Sequence, residues 1–138
     1  MTDKEILTVI KTKLGETIKQ AIIDSKTTLY TEDWLGAMAM REMGHKIAKL
    51  IGQGKTWSEI VLNAKGDYGP RSGDDKPIYH GFGFWQIDIA SFPQFIKSGD
   101  WVDPYKCAMK AISVLEGKRK YLATKFPTVD ERAITAAY

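Results

Sequence analysis

Seven glycines and prolines fall within residues 64–90: Gly66, Gly69, Pro70, Gly73, Pro77, Gly81 and Gly83. Glycine costs a helix backbone entropy and proline removes a backbone donor, so no helix crosses this stretch. Tyr79, Phe82, Phe84, Trp85 and Ile87 lie among these breakers, which predicts short strands or a small ribbon. On either side, apolar residues recur at helical spacing. The expected fold is therefore mainly α, an α+β arrangement in which a small β-ribbon and a glycine-rich loop interrupt a helical domain. A loop of that length inside a compact helical unit is usually functional. With 138 residues, 43% of them hydrophobic, one domain spanning residues 1–138 has enough chain for a full core.

The helical segments carry their own start and stop signals. Ile6, Leu7, Ile10, Leu14, Ile18, Ala21 and Ile22 form one face of a first helix within residues 1–28. Thr31 is placed to cap a second, with Glu32 and Asp33 in the first turn where carboxylates favour the helix dipole. That helix carries Trp34, Met38, Met43, Ile47 and Ile51 and should stop near Gly52 or Gly54. Thr56 and Glu59 form a capping box for a short helix from Trp57 to about Asn63. Asp103-Pro104 starts a long helix bearing Cys107, Ala108, Ala111, Ile112, Leu115 and Leu122. A second capping box, Thr128 with Glu131, opens a last helix through Ile134.

Composition removes several classes of function. The lone Cys107 excludes an intrachain disulfide framework and a multi-cysteine zinc site, and it reads as a helix-core residue. No stretch approaches the roughly 18 uninterrupted apolar residues of a membrane span. Met1-Thr2-Asp3-Lys4-Glu5 has two acids and no following apolar block, unlike a signal peptide. Twenty basic residues against 17 acidic ones give a net charge of +3, far from a nucleic-acid footprint. Lys118-Arg119-Lys120 is the one basic run and reads as a solvated helix face. Glu42 and His45 make a single Glu-x-x-His, whereas a di-iron bundle needs two such units and further carboxylates. No metal or cofactor is expected, and a monomer is.

Two segments have the chemistry of a site. On its helix Glu42 shares a face with Leu35, Met38 and Ala39. A carboxylate desolvated among apolar side chains can act as an acid near neutral pH. Equally, Glu42 can border the apolar stripe and pair with Lys46 or Arg41. The second segment is Gly81-Phe82-Gly83-Phe84-Trp85-Gln86-Ile87-Asp88. Glycines beside aromatics let a ligand approach the backbone while rings stack on its flat faces, a composition common in sugar clefts. Gln86 offers a donor and an acceptor together. Asp88, and Asp67 upstream, are loop carboxylates placed to face Glu42, and His80 belongs to the same rim. The plainer reading is a glycine-rich turn whose aromatics cover a small core.

At these residues the chain resembles the goose-type lysozyme and soluble lytic transglycosylase group, over roughly residues 31–138. The family's acid is a Glu late in an apolar helix, here Glu42. Its Gly-Leu-Met-Gln motif is matched loosely by Gly83-Phe84-Trp85-Gln86, and its Ala-Ala-Tyr-Asn-x-Gly motif by Ala136-Ala137-Tyr138. Gly66-Asp67 and Asp88 are similar to the carboxylates that goose-type enzymes keep around the second motif. Met43 stands where Ser is usual. The long spacer after Asp67 makes Asp74 or Asp75 alternatives to it. The Asn and Gly that normally follow Tyr138 are absent, which suggests a trimmed or minimal version of the domain.

The resemblance implies a lysozyme-like fold with a glycan cleft, and cleavage of the β-1,4 bond between N-acetylmuramic acid and N-acetylglucosamine in peptidoglycan. Glu42 would protonate the leaving oxygen while Asp88 or Asp67 activates water. That is inverting geometry, for which the two carboxyls stand roughly 6.5–9.5 Å apart. Tyr138 would orient Glu42, and Gly83, Trp85, Gln86 and His80 would line the bound sugar. The substrate implies action at a cell wall or outside the cell. The same residues suit a lytic transglycosylase giving 1,6-anhydro products, a chitinase-like hydrolase, or a non-catalytic glycan-binding module. A helical interaction protein docking through residues 1–28 is the remaining alternative.

Overall fold

The computed structural model describes residues 1–71, 73, 76–126 and 130–138. Two long helices come first, α1 (Asp3–Ser25) and α2 (Glu32–Gly52), followed by the short α3 (Trp57–Leu62). Three strands follow, β1 (Lys65–Gly69), β2 (Ile78–Phe82) and β3 (Ile87–Asp88). After them come α4 (Pro93–Lys97), a 3-10 turn at Asp100–Val102, α5 (Pro104–Lys125) and α6 (Glu131–Ala137). The protein is mainly helical with one small antiparallel sheet, in the order β1-β2-β3. No helix among the described residues is long and apolar enough to cross a membrane.

Local chemistry accounts for most helix starts. Thr31 accepts the Trp34 N–H at 3.2 Å, and Asp103 accepts from Tyr105 and Lys106 with Pro104 in the first turn. Thr56 accepts the Glu59 N–H at 3.2 Å, but the Glu59 side chain turns to Lys55, 3.8 Å away. Only half of that expected capping box therefore forms. A complete one forms at Thr2 and Glu5, ahead of α1. At α6 the cap is Asp130, which accepts the Ala133 N–H at 3.0 Å. Thr128, the expected cap, lies outside the described residues.

Burial then fixes how the helices pack. α1 sinks Ile6, Ile10, Leu14, Ile18 and Ala21 into one core with Leu35, Met38, Ala39, Met43 and Ile47 of α2. Cys107, Ala108, Ala111, Ile112 and Leu115 of α5 belong to the same core. A helix that contributes this much apolar surface is part of the core rather than a detached arm.

The sheet hangs beside the helical core. β1 and β2 pair Gly66 with Gly81 and Tyr68 with Tyr79, and β3 returns with Asp88 opposite Gly81. The turn between β2 and β3 drives Phe84 and Trp85 inward, where both are fully buried. Phe84 stacks on Trp57 at 5.2 Å between ring centroids. The Trp85 indole N–H donates to the Leu35 C=O of α2 at 3.0 Å. The Tyr138 hydroxyl donates to the Trp85 C=O at 2.7 Å.

Gly83 makes this turn possible. Its φ of +81° lies in the left-handed region, and a Cβ there would run into the Cys107 Sγ and sit 3.2 Å from the Trp101 carbonyl oxygen. Gly83→Ala should lower stability by about 2–3 kcal/mol in urea denaturation, from strain and overpacking together. Gly69→Ala, where an added methyl meets nothing within 4 Å, should cost less than about 1 kcal/mol. Equal losses at the two positions would contradict this account.

Candidate active site

A cavity of about 680 Å³ lies where α2, the sheet, α5 and the C-terminal residue meet. Glu42 reaches it from α2, Asp67 from β1, His80 and Gly81 from β2, and Asp88 from β3. Gln86 and Tyr138 also line it. Six of the side chains singled out in the sequence thus share one cavity: Glu42, Asp67, His80, Gln86, Asp88 and Tyr138.

Glu42 is held less apolarly than its helix face suggests. Its side chain is 25% exposed, and its Oε1 accepts from Arg41 Nη2 at 2.7 Å and Nε at 3.0 Å. Lys46, the other possible partner, donates instead to the Lys65 C=O. Leu35, Met38 and Ala39 go into the core, so the carboxylate stands at the edge of the apolar stripe rather than inside it. Oε2 accepts no hydrogen bond from the described residues.

The two aspartates differ. Asp88 is saturated: Oδ1 accepts from Arg71 at 2.6 Å and Oδ2 from the Ser91 hydroxyl at 2.8 Å, with the Ala90 and Ser91 amides adding longer bonds. Burial pulls its carboxyl up, but the hydrogen bonds from Ser91, Ala90 and Arg71 outweigh that and hold it below the usual carboxylate range. Asp67 is exposed, sits at a φ of +53°, and has no hydrogen-bond or ion-pair partner among the described residues. Asp and Asn tolerate this left-handed conformation better than most residues. Asp74 and Asp75, the alternatives to Asp67, lie outside the described residues.

Gln86 takes a strained φ of +50° and donates from Nε2 to the Gly83 C=O at 2.9 Å. A Cβ on Gly66 or on Gly81 would collide with its carboxamide, so the paired glycines of β1 and β2 exist to admit this side chain. His80 is buried, and both ring nitrogens are used. Nδ1 accepts from Arg71 Nε at 3.0 Å, so Nε2 carries the proton and donates to the Gly69 C=O at 2.8 Å. His80 therefore braces the hairpin and has no ring nitrogen left for a ligand.

Two expected substrate contacts are corrected. Trp85 has no exposed surface and spends its N–H on Leu35, so it cannot stack on a sugar. Gly83 packs on Cys107 and Trp101 and does not line the cavity. Tyr138 does line it, but its hydroxyl bonds the Trp85 carbonyl rather than Glu42. Burial, followed by the neighbouring Cys107 and Glu42, pushes that phenol well above its ordinary value, so it stays a donor. Burial likewise pushes the Cys107 thiol up to about 12, against weaker opposing bonds from the Trp85 and Phe84 amides. That excludes a thiolate nucleophile there.

The structure also brings in residues that no motif indicated. Arg71, from the β1–β2 connection, ties His80 to Asp88. Phe92 and Ser91 follow β3 into the wall, and α5 adds Val114, Gly117, Lys118 and Tyr121. Lys118 is half-buried and lines the cavity, which corrects the reading of its basic run as a wholly solvated face. Helical spacing of three and four across positions 114, 117, 118 and 121 was the available signal for this wall.

No protein-family model, curated protein or solved structure matches this chain. Among the described residues no group of three or more His, Cys, Asp or Glu side chains is arranged to hold a metal ion.

Because folding lowers the Asp88 carboxyl below its ordinary 3.8, the stabilisation is complete above that value. It is lost as pH falls through the lower folded value. Asp88→Asn should therefore be less stable than wild type at pH 6, and the gap should narrow progressively as pH falls below 3.8. Urea titrations across that range measure it, and a pH-independent gap would remove Asp88 as its source.

Proposed function

We propose that the protein is a glycoside hydrolase cutting the β-1,4 bond between N-acetylmuramic acid and N-acetylglucosamine in peptidoglycan. One observation carries the reading: Glu42 of α2, Asp67 of β1, and Gln86 and Asp88 at the turn into β3 line the same cavity. Its volume of about 680 Å³ suits a short stretch of sugar chain. The ordered motifs that resemble goose-type lysozymes supply the same residues, and the mainly helical fold with a three-stranded sheet is compatible with that group.

Each residue has a role in this scheme. Glu42 is the general acid. Arg41 binds Oε1 and leaves Oε2 without a hydrogen bond from the described residues, so Oε2 is the oxygen through which a proton would pass to the leaving glycosidic oxygen. Asp67, exposed and unpartnered among the described residues, activates the attacking water on the opposite face of the sugar. Asp88 organises rather than reacts, because Arg71, Ser91 and the Ala90 amide already fill its oxygens. Gln86, seated over Gly66 and Gly81, offers its carboxamide to an N-acetyl or hydroxyl group. Tyr138 acts through Trp85 and is a positioning residue.

On purified peptidoglycan, Glu42→Gln should lower turnover by about 10²–10⁴-fold and Asp67→Asn by about 10²-fold, with folding intact. Mass spectrometry should find reducing-end products. A 1,6-anhydro product together with a fully active Asp67→Asn would make the enzyme a transglycosylase. Glycan binding without turnover in the wild type would make it a binding module.

A further inference from the structure

The charges around the cavity are unevenly distributed. α2 and the sheet contribute three carboxylates, Glu42, Asp67 and Asp88, whereas α5 contributes Lys118, the one lysine or arginine among the described lining residues. Glu42 and Asp88 each have their own arginine, Arg41 and Arg71. Lys118 is not needed to neutralise either, and it makes no ion pair or hydrogen bond among the described residues. A half-buried lysine that lines a ligand-sized space and has no protein partner among the described residues is available to an anion from outside.

The surroundings of Lys118 provide room for one. Gly117 lines the same wall, and a Cβ there would meet nothing within 4 Å. Tyr121, one turn further along α5, lines the cavity while remaining 60% exposed. Its ring has Lys125 Nζ 5.4 Å from the centroid. Thus α5 gives the cavity a cationic and aromatic wall, on a different element from those that carry the acids. A sugar bearing a carboxylate would be repelled by Asp67, the cavity carboxylate with no cationic partner among the described residues, and attracted by Lys118, so its charged arm has a favourable side. A neutral chitin-type chain has no such preference.

We infer that Lys118 is a specificity-determining residue that binds the carboxylate on the 3-O-lactyl arm of a muramic sugar, in the space left by Gly117 beside Tyr121. The inference rests on the glycosidase reading and deepens it, because it separates peptidoglycan from chitin at the same cavity. The carboxylate can be that of the lactyl group itself or of a peptide attached to it.

The test uses the full chain carrying Glu42→Gln, so that binding is read without turnover. Calorimetry compares three glycans of equal length: a chitin oligomer, a peptide-free oligomer of alternating N-acetylglucosamine and N-acetylmuramic acid, and the same oligomer with peptides attached. The carboxylate-bearing glycans should bind more tightly than chitin, and added salt should weaken that preference. Lys118→Gln should reduce the preference by about tenfold, and Lys118→Arg should restore most of it. Dependence on Lys118 with the peptide-free glycan assigns the lactyl carboxylate, and dependence with the peptide-bearing glycan alone assigns the peptide's. Equal weakening of all three glycans by Lys118→Gln, an unchanged preference, or binding of none would overturn the inference. Turnover separates the two readings. If Glu42→Gln keeps full activity while the preference still depends on Lys118, the acid assignment fails and the anion site stands; the reverse pattern keeps the acid and removes the site.

Discussion

The hydrogen bond from the Trp85 indole to the Leu35 carbonyl joins the sheet to the helical core. A buried tryptophan combines a large apolar surface with a donor that must be satisfied, and a helix carbonyl can satisfy it. The bond therefore fixes where the β2–β3 turn meets α2. Gln86 follows immediately on one side, and Glu42 lies two turns further along the same helix. From the other direction, the Tyr138 hydroxyl takes up the Trp85 carbonyl and brings the end of the chain to the cavity. Three parts of the fold are thus registered through the backbone and side chain of one residue.

A second constraint is the bareness of the hairpin. Gly66 and Gly81 are paired across β1 and β2, and their missing side chains are replaced by the carboxamide of Gln86. Polar surface thereby reaches a place where ordinary strand residues would have put methyl groups. Arg71 then crosses from the connecting loop to His80 and Asp88, so both ring nitrogens and the carboxylate are satisfied in one network. Among the described residues, this leaves Asp67 and one oxygen of Glu42 as the cavity carboxylate groups without a protein partner.

Much of this was legible because it is local. Thr31 and Asp103-Pro104 state their helix starts within four residues, and the helices begin there. The glycine-rich segment became strands because breakers and aromatics alternate within a few positions. Glu42, Asp67, Gln86 and Asp88 were found by residue type and order, and they share the cavity. Trp85 was misread because a ring beside glycines looks alike whether it stacks on a ligand or fills a core. Its burial is decided by a carbonyl 50 residues away. Arg71 and Lys118 escaped for a similar reason. Their roles depend on how a loop and α5 fold back over the sheet, and no short spacing encodes that.

The one cysteine of the chain lies directly beneath Gly83, fully buried, with its thiol held protonated. A reagent can reach it only when the packing that covers it opens, and the β2–β3 turn at Gly83 is part of that cover. The rate at which Cys107 is labelled in the native protein therefore reports how often the packing around the β2–β3 turn opens, without any foreign probe. Ligand occupancy and local opening become two readable quantities in the same molecule.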